Sequence, residues 1–236
     1  MAQEIAWENE YRNPQLLSKG DKPQNDVLRF FKFLKKEKGL ILKNLNVLDL
    51  GSGTGRNANY LAGLGNKVKG LEISSTALEL AKDRARETGV EVDYQLGDIG
   101  AQYPFSNDFF DLVLDITSSN SLNEKERDIY LSEVNRVLKK GGYFFARALC
   151  KEGDKNAKAL LEKSPTREKD TYFIQELGLR ERVFSREDLT DFYSQYFKVV
   201  RILKKTSYTR FKNQSYKRNF WLAYLQRPCS TEMIMS

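Results

Sequence analysis

The sequence contains no histidine and only two cysteines, Cys150 and Cys229. The absence of histidine excludes Ser-His-Asp and Cys-His catalysis, histidine-ligated zinc, and imidazole as a general acid or base. Two cysteines provide neither a disulfide framework nor a metal cluster, so we expect no metal and a reducing, cytoplasmic location. Proton transfer is left to carboxylate, tyrosine, lysine, cysteine or water, and a reaction that needs little acid–base help fits this inventory best.

Long apolar runs are also missing. No stretch approaches the roughly 18 apolar residues that a membrane-spanning helix needs, and the opening segment MAQEIAWENEYRN lacks the basic start and apolar core of a secretory signal. With 236 residues, of which 40% are hydrophobic and 30% charged, the chain is long enough for one sizeable domain and short for two. We therefore expect a single domain over 1–236 that has no membrane partner.

The formal net charge of +7 is unevenly distributed. One basic stretch without acidic residues comprises Lys198, Arg201, Lys204, Lys205, Arg210, Lys212, Lys217, Arg218 and Arg227. A second comprises Lys32, Lys35, Lys36, Lys38 and Lys43. Such patches attract an anionic metabolite or RNA, or they are the solvated face of a basic protein, and both interpretations stay open.

Hydrophobic patterning predicts strands that alternate with helices. The five predicted strands are 46–50, 67–73, 90–98, 109–116 and 143–150. Residues 1–45 are interpreted as a cap segment, irregular to 25, and a helix that Asp26 caps. This alternation is typical of an α/β fold with a doubly wound parallel sheet.

The rest of the chain departs from that alternation. Residues 151–184 are charged and weakly periodic, and we interpret them as an insertion that covers the substrate. Over 185–227 we predict a helix with a capping box from Ser185 to Asp188, and then two β-type segments. Because no helix separates those segments, they predict an antiparallel hairpin at the sheet edge. Residues 228–236 predict a loose tail.

A glycine-rich turn follows the first strand in VLDLGSGTGRN (47–57). Ligands of open α/β sheets bind at the carboxyl ends of the strands, where glycines let a ligand approach the backbone. No lysine follows Gly55, which excludes the phosphate loop GxxxxGK[ST]. The glycines read GxGxG, with Arg56 where the third glycine of the dinucleotide fingerprint GxGxxG should stand. The glycines alone are also compatible with tight packing between strand and helix.

This turn, with its spacing hhDhGxGxG, resembles the first motif of the Rossmann-like, class I S-adenosylmethionine-dependent methyltransferases. Four further segments match that family in order across 46–150: Glu72, which stands 21 residues after Gly51, Asp98 with Ile99, FDLVLD ending at Asp115, and RVLKKGGYFF (136–145). The resemblance implies a three-layer fold with a mixed seven-stranded sheet of order 3-2-1-4-5-7-6. Its seventh strand, about 217–226, would be antiparallel.

The resemblance also implies roles for single residues in binding S-adenosylmethionine. Asp49 supports the turn beneath the methionine moiety, which is formed by Gly51, Ser52, Gly53 and Gly55. Glu72 binds the ribose, Ile73 covers one face of the adenine, and Asp98 and Ile99 bind its edge. Asp115 lies near the sulfonium or the methionine amine and is the candidate catalytic base, or it caps the loop that follows.

The cofactor sets the expected chemistry. Its sulfonium activates the methyl group, so an in-line displacement that yields S-adenosylhomocysteine needs alignment and exclusion of water more than covalent help. Candidate substrate residues are Trp7, Tyr11, Ser118 and Asn120. Trp7 and Tyr11 are four positions apart and share a side if their segment is helical, where they either close over the cofactor or pin the chain end to the core.

We predict a small-molecule acceptor for a monomer or homodimer. DNA is excluded because DITSSN lacks the proline pair of amino-directed DNA methyltransferases. Two alternatives stay open: an RNA methyltransferase that uses the basic closing hairpin, and a non-catalytic S-adenosylmethionine-binding module that acts through a partner. Against RNA, the apolar run 220–225 predicts a strand buried on both faces, which removes most of the aromatic platform that stacking needs.

Overall fold

The computed structural model describes residues 2–16, 20–211 and 214–229. The helices are α1 (Ala2–Arg12), α2 (Asn25–Glu37), α3 (Arg56–Gly63), α4 (Ser75–Thr88), α5 (Glu124–Val137), α6 (Lys155–Lys163) and α7 (Arg186–Ser194). The strands are β1 (Asn46–Leu50), β2 (Lys67–Glu72), β3 (Asp93–Leu96), β4 (Phe110–Ile116), β5 (Leu138–Leu149), β6 (Thr171–Ile174), β7 (Leu179–Arg182), β8 (Lys198–Phe211) and β9 (Gln214–Gln226). None of the helices within these described ranges is long and apolar enough to cross a membrane.

Seven strands form one mixed sheet in the order β3-β2-β1-β4-β5-β9-β8. Strands β1 to β5 pair in parallel, and β9 runs antiparallel to both β5 and β8. The predicted fold class is confirmed. The numbering differs from the predicted 3-2-1-4-5-7-6 because two further strands, β6 and β7, precede the closing pair and form a separate two-stranded sheet.

Helices cover both faces of the large sheet, which explains why its strands are apolar on both sides. Helices α2, α3 and α4 pack on one face, and α5 and α7 pack on the other. The neighbours Phe144 and Phe145 on β5 show the alternation. The ring of Phe144 lies 5.7 Å from that of Tyr193, while the ring of Phe145 lies 5.0 Å from that of Phe30 on the opposite face.

Two expectations about the first 45 residues are wrong. The leading segment is not irregular, since residues 2–12 form α1. Asp26 does not cap α2, because that helix begins at Asn25 and its N-cap, Gln24, makes no side-chain capping bond. Asp26 is instead buried in ion pairs with Arg147, at 3.2 Å, and with Lys205. The Asp26 side chain therefore pairs with two cations from distant strands instead of capping its own helix.

The insertion is more ordered than its sequence indicates. Residues 151–184 contain α6 and the hairpin β6–β7. Asp154 caps α6 by accepting from the Ala157 N–H at 2.8 Å, and its other oxygen accepts from Arg218 Nε at 3.0 Å. This buried carboxylate thereby ties the insertion to β9. Of the predicted tail, residues 230–236 lie outside the described part of the chain.

Candidate active site

The crevice at the carboxyl ends of the parallel strands is a cavity of about 1940 Å³. Its lining includes the turn after β1, the ends of β2 and β4, and the segment after β3. The same cavity extends past the start of α2 to the closing strands β8 and β9. The crevice therefore has an end at the glycine turn and an end at the closing hairpin, which we call the turn end and the hairpin end.

Glu72 connects the end of β2 to the glycine turn. Its Oε2 accepts from the Gly53 N–H at 2.8 Å, and its Oε1 accepts from the N–H groups of Ile73 at 2.9 Å and Ser74 at 3.0 Å. The side chain is buried, and burial raises its pKa although the three N–H groups act in the opposite direction. Glu72 is thus held rigidly at the crevice, and it also holds the turn in shape.

The three glycines of the turn serve different purposes. Gly53, at φ +53°, lies under the ring of Tyr11, so a Cβ added there would stand 2.6 Å from Tyr11 Oη. Gly51 faces Ser118 on the next strand end. Gly55 faces away from the crevice, because a Cβ there would meet Tyr94 and, at 2.9 Å, the Cβ of Ala81. Gly55 therefore serves the packing of α4 and β3 on the turn.

Asp49 lies beneath the turn and is 2% exposed. Its Oδ2 has no hydrogen-bond partner among the described residues. Burial, together with the negative charges of Asp115 and Glu72, raises the pKa of Asp49 to about 7. The turn is therefore supported by a carboxyl group that loses its proton only near neutral pH.

We expect Asp49→Asn to stabilise the protein, measured without cofactor, more in alkaline than in acidic solution. A carboxyl group whose pKa rises on folding stabilises the folded state most at a pH below its usual pKa of 3.8. That stabilisation is lost as the pH rises to about 7. The thermal midpoint of Asp49→Asn should exceed that of the parent at about pH 8.5 by more than at about pH 5. An equal difference at both pH values would contradict the raised pKa.

Asp98, Ile99 and Ile73 line the same crevice. Asp98 Oδ1 accepts from the Gly100 N–H at 2.7 Å, which orients the carboxylate after β3. Ile99 is almost fully buried and joins the core cluster under β1. These side chains form a shallow wall beside Glu72.

Asp115 and Asn120 lie behind the crevice wall rather than in it. Asp115 is fully buried and accepts from the Ser118 N–H at 2.8 Å and from Tyr130 Oη at 2.7 Å. Asn120 is 1% exposed, and its Oδ1 accepts from the Leu149 N–H at 3.1 Å. This geometry favours the interpretation of Asp115 as a cap for the loop after β4. Ser118 lines the crevice, and its Oγ donates to Leu50 O at 3.1 Å.

Trp7 and Tyr11 lie on one side of α1, with ring centroids 6.4 Å apart, and both line the crevice. Glu8, on the same helix, attaches α1 to the start of α4. Its carboxylate accepts from Ser74 Oγ at 2.6 Å and from Thr76 Oγ1 at 2.5 Å. Burial would raise the pKa of Glu8, but these hydrogen bonds and the charge of Arg12 prevail and lower it to about 2. Helix α1 is thus a cover over the turn end.

Glu8→Gln should weaken the docking of α1 on α4 at neutral pH. It should also remove one source of the pH dependence of that docking. A carboxylate with a lowered pKa stabilises the docked helix at a pH above the usual glutamate pKa of 4.5. This stabilisation is lost as the pH falls to about 2. Trp7 emission in the parent should shift within this acid window before global unfolding. The shift should be absent in Glu8→Gln, and an identical titration of both proteins would contradict the proposed attachment.

Two arginines at the crevice were not predicted as site residues. Arg56 begins α3 directly after the turn and is half-buried. In the sequence it served only as an argument against the dinucleotide-binding fingerprint. Arg147 lies inside β5, donates to Thr117 Oγ1 at 3.0 Å, and stacks 3.5 Å from the ring centroid of Phe220. A single charge in the apolar strand YFFARALC (143–150) was the available signal for Arg147. Within the described ranges, no cluster of His, Cys, Asp or Glu could hold a metal ion.

Known methyltransferases resemble this chain in sequence. Residues 47–142 match the family described as a methyltransferase domain. Methyltransferase GfsG of Streptomyces halstedii is 39% identical over 99 residues, which are 41% of this chain and 34% of that protein. The ubiquinone biosynthesis O-methyltransferase of Pelagibacter ubique is 27% identical over 128 residues, 54% of this chain and 51% of that protein. An uncharacterized methyltransferase of Schizosaccharomyces pombe is 33% identical over 103 residues, 44% of this chain and 70% of that protein.

Solved structures share the fold along most of the chain. A SAM-dependent methyltransferase from Methanosarcina mazei superposes with a TM-score of 0.72 at 22% identity, covering 89% of this chain and 100% of that one. A protein solved in work on the conversion of a disulfide bond into a thioacetal group during echinomycin biosynthesis gives a TM-score of 0.71 at 21% identity. That superposition covers 97% of this chain and 94% of the other.

Proposed function

The chain belongs to the class I S-adenosylmethionine-dependent methyltransferases, and we propose that it transfers a methyl group to a small-molecule acceptor by in-line displacement. The observation that carries this proposal is the position of Glu72, whose carboxylate is held by three backbone N–H groups at the edge of a cavity of about 1940 Å³. A fixed, buried carboxylate next to a glycine turn is the arrangement that a ribose diol requires.

The residues at the turn end fit the proposed cofactor. Oε2 of Glu72, which accepts from the Gly53 N–H, retains a lone pair for a ribose hydroxyl, whereas Oε1 already accepts two N–H groups. Asp98 with Ile99 would bind the adenine edge. Buried oxygens without hydrogen-bond partners in the described structure, Asp49 Oδ2 and Ser52 Oγ, lie at the turn, where the methionine moiety would be held. The guanidinium of Arg56 would bind the methionine carboxylate. When bound, S-adenosylmethionine supplies a methyl group on an activated sulfonium and leaves as S-adenosylhomocysteine.

The chain's own groups would position the acceptor and exclude water rather than move a proton. Trp7 and Tyr11 on α1 would shield the crevice from solvent. Tyr11 is no base at neutral pH, because burial and the nearby charge of Glu72 raise its phenol pKa well above the usual range. Asp115 is enclosed by its own hydrogen bonds. The proposed reaction therefore uses an acceptor atom that is nucleophilic without losing a proton to a residue of this chain.

A small-molecule acceptor is favoured over RNA by the closing hairpin. Residues 220–225 are buried throughout, so Trp221 and Tyr224 are not available as a stacking platform. An RNA methyltransferase and a non-catalytic binding module remain the alternatives. We further propose one methyltransferase domain over 1–236, acting in the cytoplasm as a monomer or homodimer.

Methyl transfer from labelled S-adenosylmethionine into a small-molecule extract and into total RNA tests this proposal. We expect saturable incorporation into the small-molecule fraction, and its loss in Glu72→Ala. Saturable incorporation into RNA that also disappears in Glu72→Ala would favour the RNA alternative. Tight binding of the cofactor without transfer into either fraction would favour the binding module.

A further inference from the structure

The hairpin end of the crevice contains a group of three charged side chains. Asp26, at the start of α2, pairs through Oδ2 with Arg147 Nε at 3.2 Å and through Oδ1 with Lys205 Nζ. The side chains of Asp26, Arg147 and Lys205 are 3%, 12% and 22% exposed, so all three are largely withdrawn from water. All three line the same cavity as the glycine turn.

The charges in this group do not balance, because two cations share one carboxylate. Arg56, which lies near enough to act electrostatically on Arg147, adds a further positive charge. The neighbouring Arg218 contributes no excess, because Asp154 and the Tyr172 hydroxyl bind it. Burial of Arg147 lowers its pKa to about 10 even though Asp26 acts in the opposite direction. An uncompensated buried charge is costly, and an anion at this position would offset that cost.

Arg147 is also oriented as a ligand-binding group. Its NH1 donates to Thr117 Oγ1 at 3.0 Å, and its guanidinium carbon lies over the ring of Phe220, 3.5 Å from the ring centroid. Thr117 has a left-handed backbone, with φ +66°, at the end of β4. Such a conformation is strained for a β-branched residue and is typical of functional sites. Nε of Arg147 is buried and, although it lies 3.2 Å from Asp26 Oδ2, has no hydrogen-bond partner among the described residues.

An apolar wall lies beside these cations. In the sheet register Lys205 stands opposite Phe220, and Phe220 stands opposite Leu149, so the three form one row across β8, β9 and β5. Arg147 is two positions before Leu149 and therefore shares that face of the sheet. Phe220 and Leu149 are each 4% exposed and line the cavity. A ligand at the cations would thus extend along hydrocarbon.

We propose that the methyl acceptor is an amphipathic anion, whose carboxylate or phosphate group binds Arg147 and Lys205 while its apolar body lies along Phe220 and Leu149. The inference rests on the proposed methyl transfer and names the acceptor class for that same crevice. An amine that is protonated at neutral pH is disfavoured, since it would lie beside the cations of Arg147 and Lys205.

The test is calorimetric binding of four small probes that share an aromatic body. Benzoate and phenyl phosphate carry the two anionic groups, while benzyl alcohol and benzylamine provide the neutral and cationic comparisons. Each probe is titrated with and without saturating S-adenosylhomocysteine, so that a failure of cofactor binding is seen separately from a failure of anion binding. We expect at least one of the two anions to bind and to compete with the other, and the stronger of them identifies the group.

Variants of the three charged residues separate binding from a structural role. Arg147→Met and Lys205→Met each remove the excess charge and leave Asp26 with one partner, so both variants should fold. Each should lower the affinity for the anionic probe by about tenfold or more. Asp26→Asn should bind the anion at least as tightly as the parent, whereas a purely structural network predicts only lower stability. Arg86→Met, at a residue on α4 that is 78% exposed, is the control and should change nothing.

Three results would overturn the proposal. One is equal affinity for benzyl alcohol and the anions. Another is unchanged anion affinity in the folded Arg147→Met and Lys205→Met variants. The third is the absence of anion binding to a parent protein that binds S-adenosylhomocysteine, which would leave the proposed methyltransferase function in place and remove the acceptor class.

Discussion

Glu72→Ala is expected to weaken the binding of S-adenosylhomocysteine by about 1.5–3 kcal/mol, which is about ten- to 150-fold. The substitution removes the acceptor proposed for the ribose hydroxyls. It also leaves the N–H groups of Gly53, Ile73 and Ser74 without their acceptor, so the glycine turn loses its fixed shape. Part of the lost affinity should therefore appear as a less favourable binding entropy, because the turn must be ordered again by the ligand.

Calorimetry on Glu72→Ala and on a matched control measures this effect. Glu79→Ala removes an exposed glutamate from α4, outside the crevice, and should bind the ligand as the parent does. Thermal unfolding of both variants shows whether the fold is retained. Parent-like affinity in a folded Glu72→Ala variant would show that the cofactor does not bind where we propose.

Gly53→Val is expected to abolish detectable binding of S-adenosylhomocysteine. At φ +53° a β-branched residue is strained, and its Cβ would stand 2.6 Å from Tyr11 Oη. The branched side chain would also fill the space above the turn where the ligand approaches the backbone. The expected loss is larger than for Glu72→Ala, because steric overlap cannot be relieved by water.

Two further variants assign the cause of that loss. Gly89→Val introduces the same side chain at φ +65° where no atom lies within 4 Å, so it should lower stability and leave ligand affinity unchanged. Gly53→Ala combined with Tyr11→Phe removes the hydroxyl that the new Cβ would meet, and we expect it still to bind poorly. Recovery of parent affinity in this pair would mean that Gly53 accommodates Tyr11 rather than the cofactor.

The local features of the cofactor half could be predicted from the chain alone. The bounds of β1 were predicted as found. The observed helix caps Ser74 and Asn123, which accept from the N–H groups of Ala77 and Glu126, are local features of the same kind. These features depend on contacts within a few residues or on the periodicity of apolar side chains. Such interactions involve residues that are close in the sequence. For this reason both the glycine turn and the end of β2 could be located from the sequence.

Asp115 is a residue whose role could not be predicted from local sequence patterns. Its place near the end of β4 matches the family motif. Its role, however, depends on Tyr130 of α5, whose hydroxyl donates to the Asp115 carboxylate at 2.7 Å. A sequence pattern specifies that a residue ends a strand at the crevice edge. It does not specify whether the side chain points into the cavity or into a polar network below it.

The sequence by itself determined the alternation of strands and helices across 46–150 and the glycine turn, because periodicity and turn chemistry act over short distances along the chain. Only the tertiary structure decided what faces the hairpin end. Asp26 and Lys205 are 179 positions apart, and they meet because β9 and β8 are added to the sheet beside β5 and bring Lys205 over the start of α2. Contacts of that kind follow from strand register and layer packing, in which a shift of one residue would turn Lys205 to the opposite face.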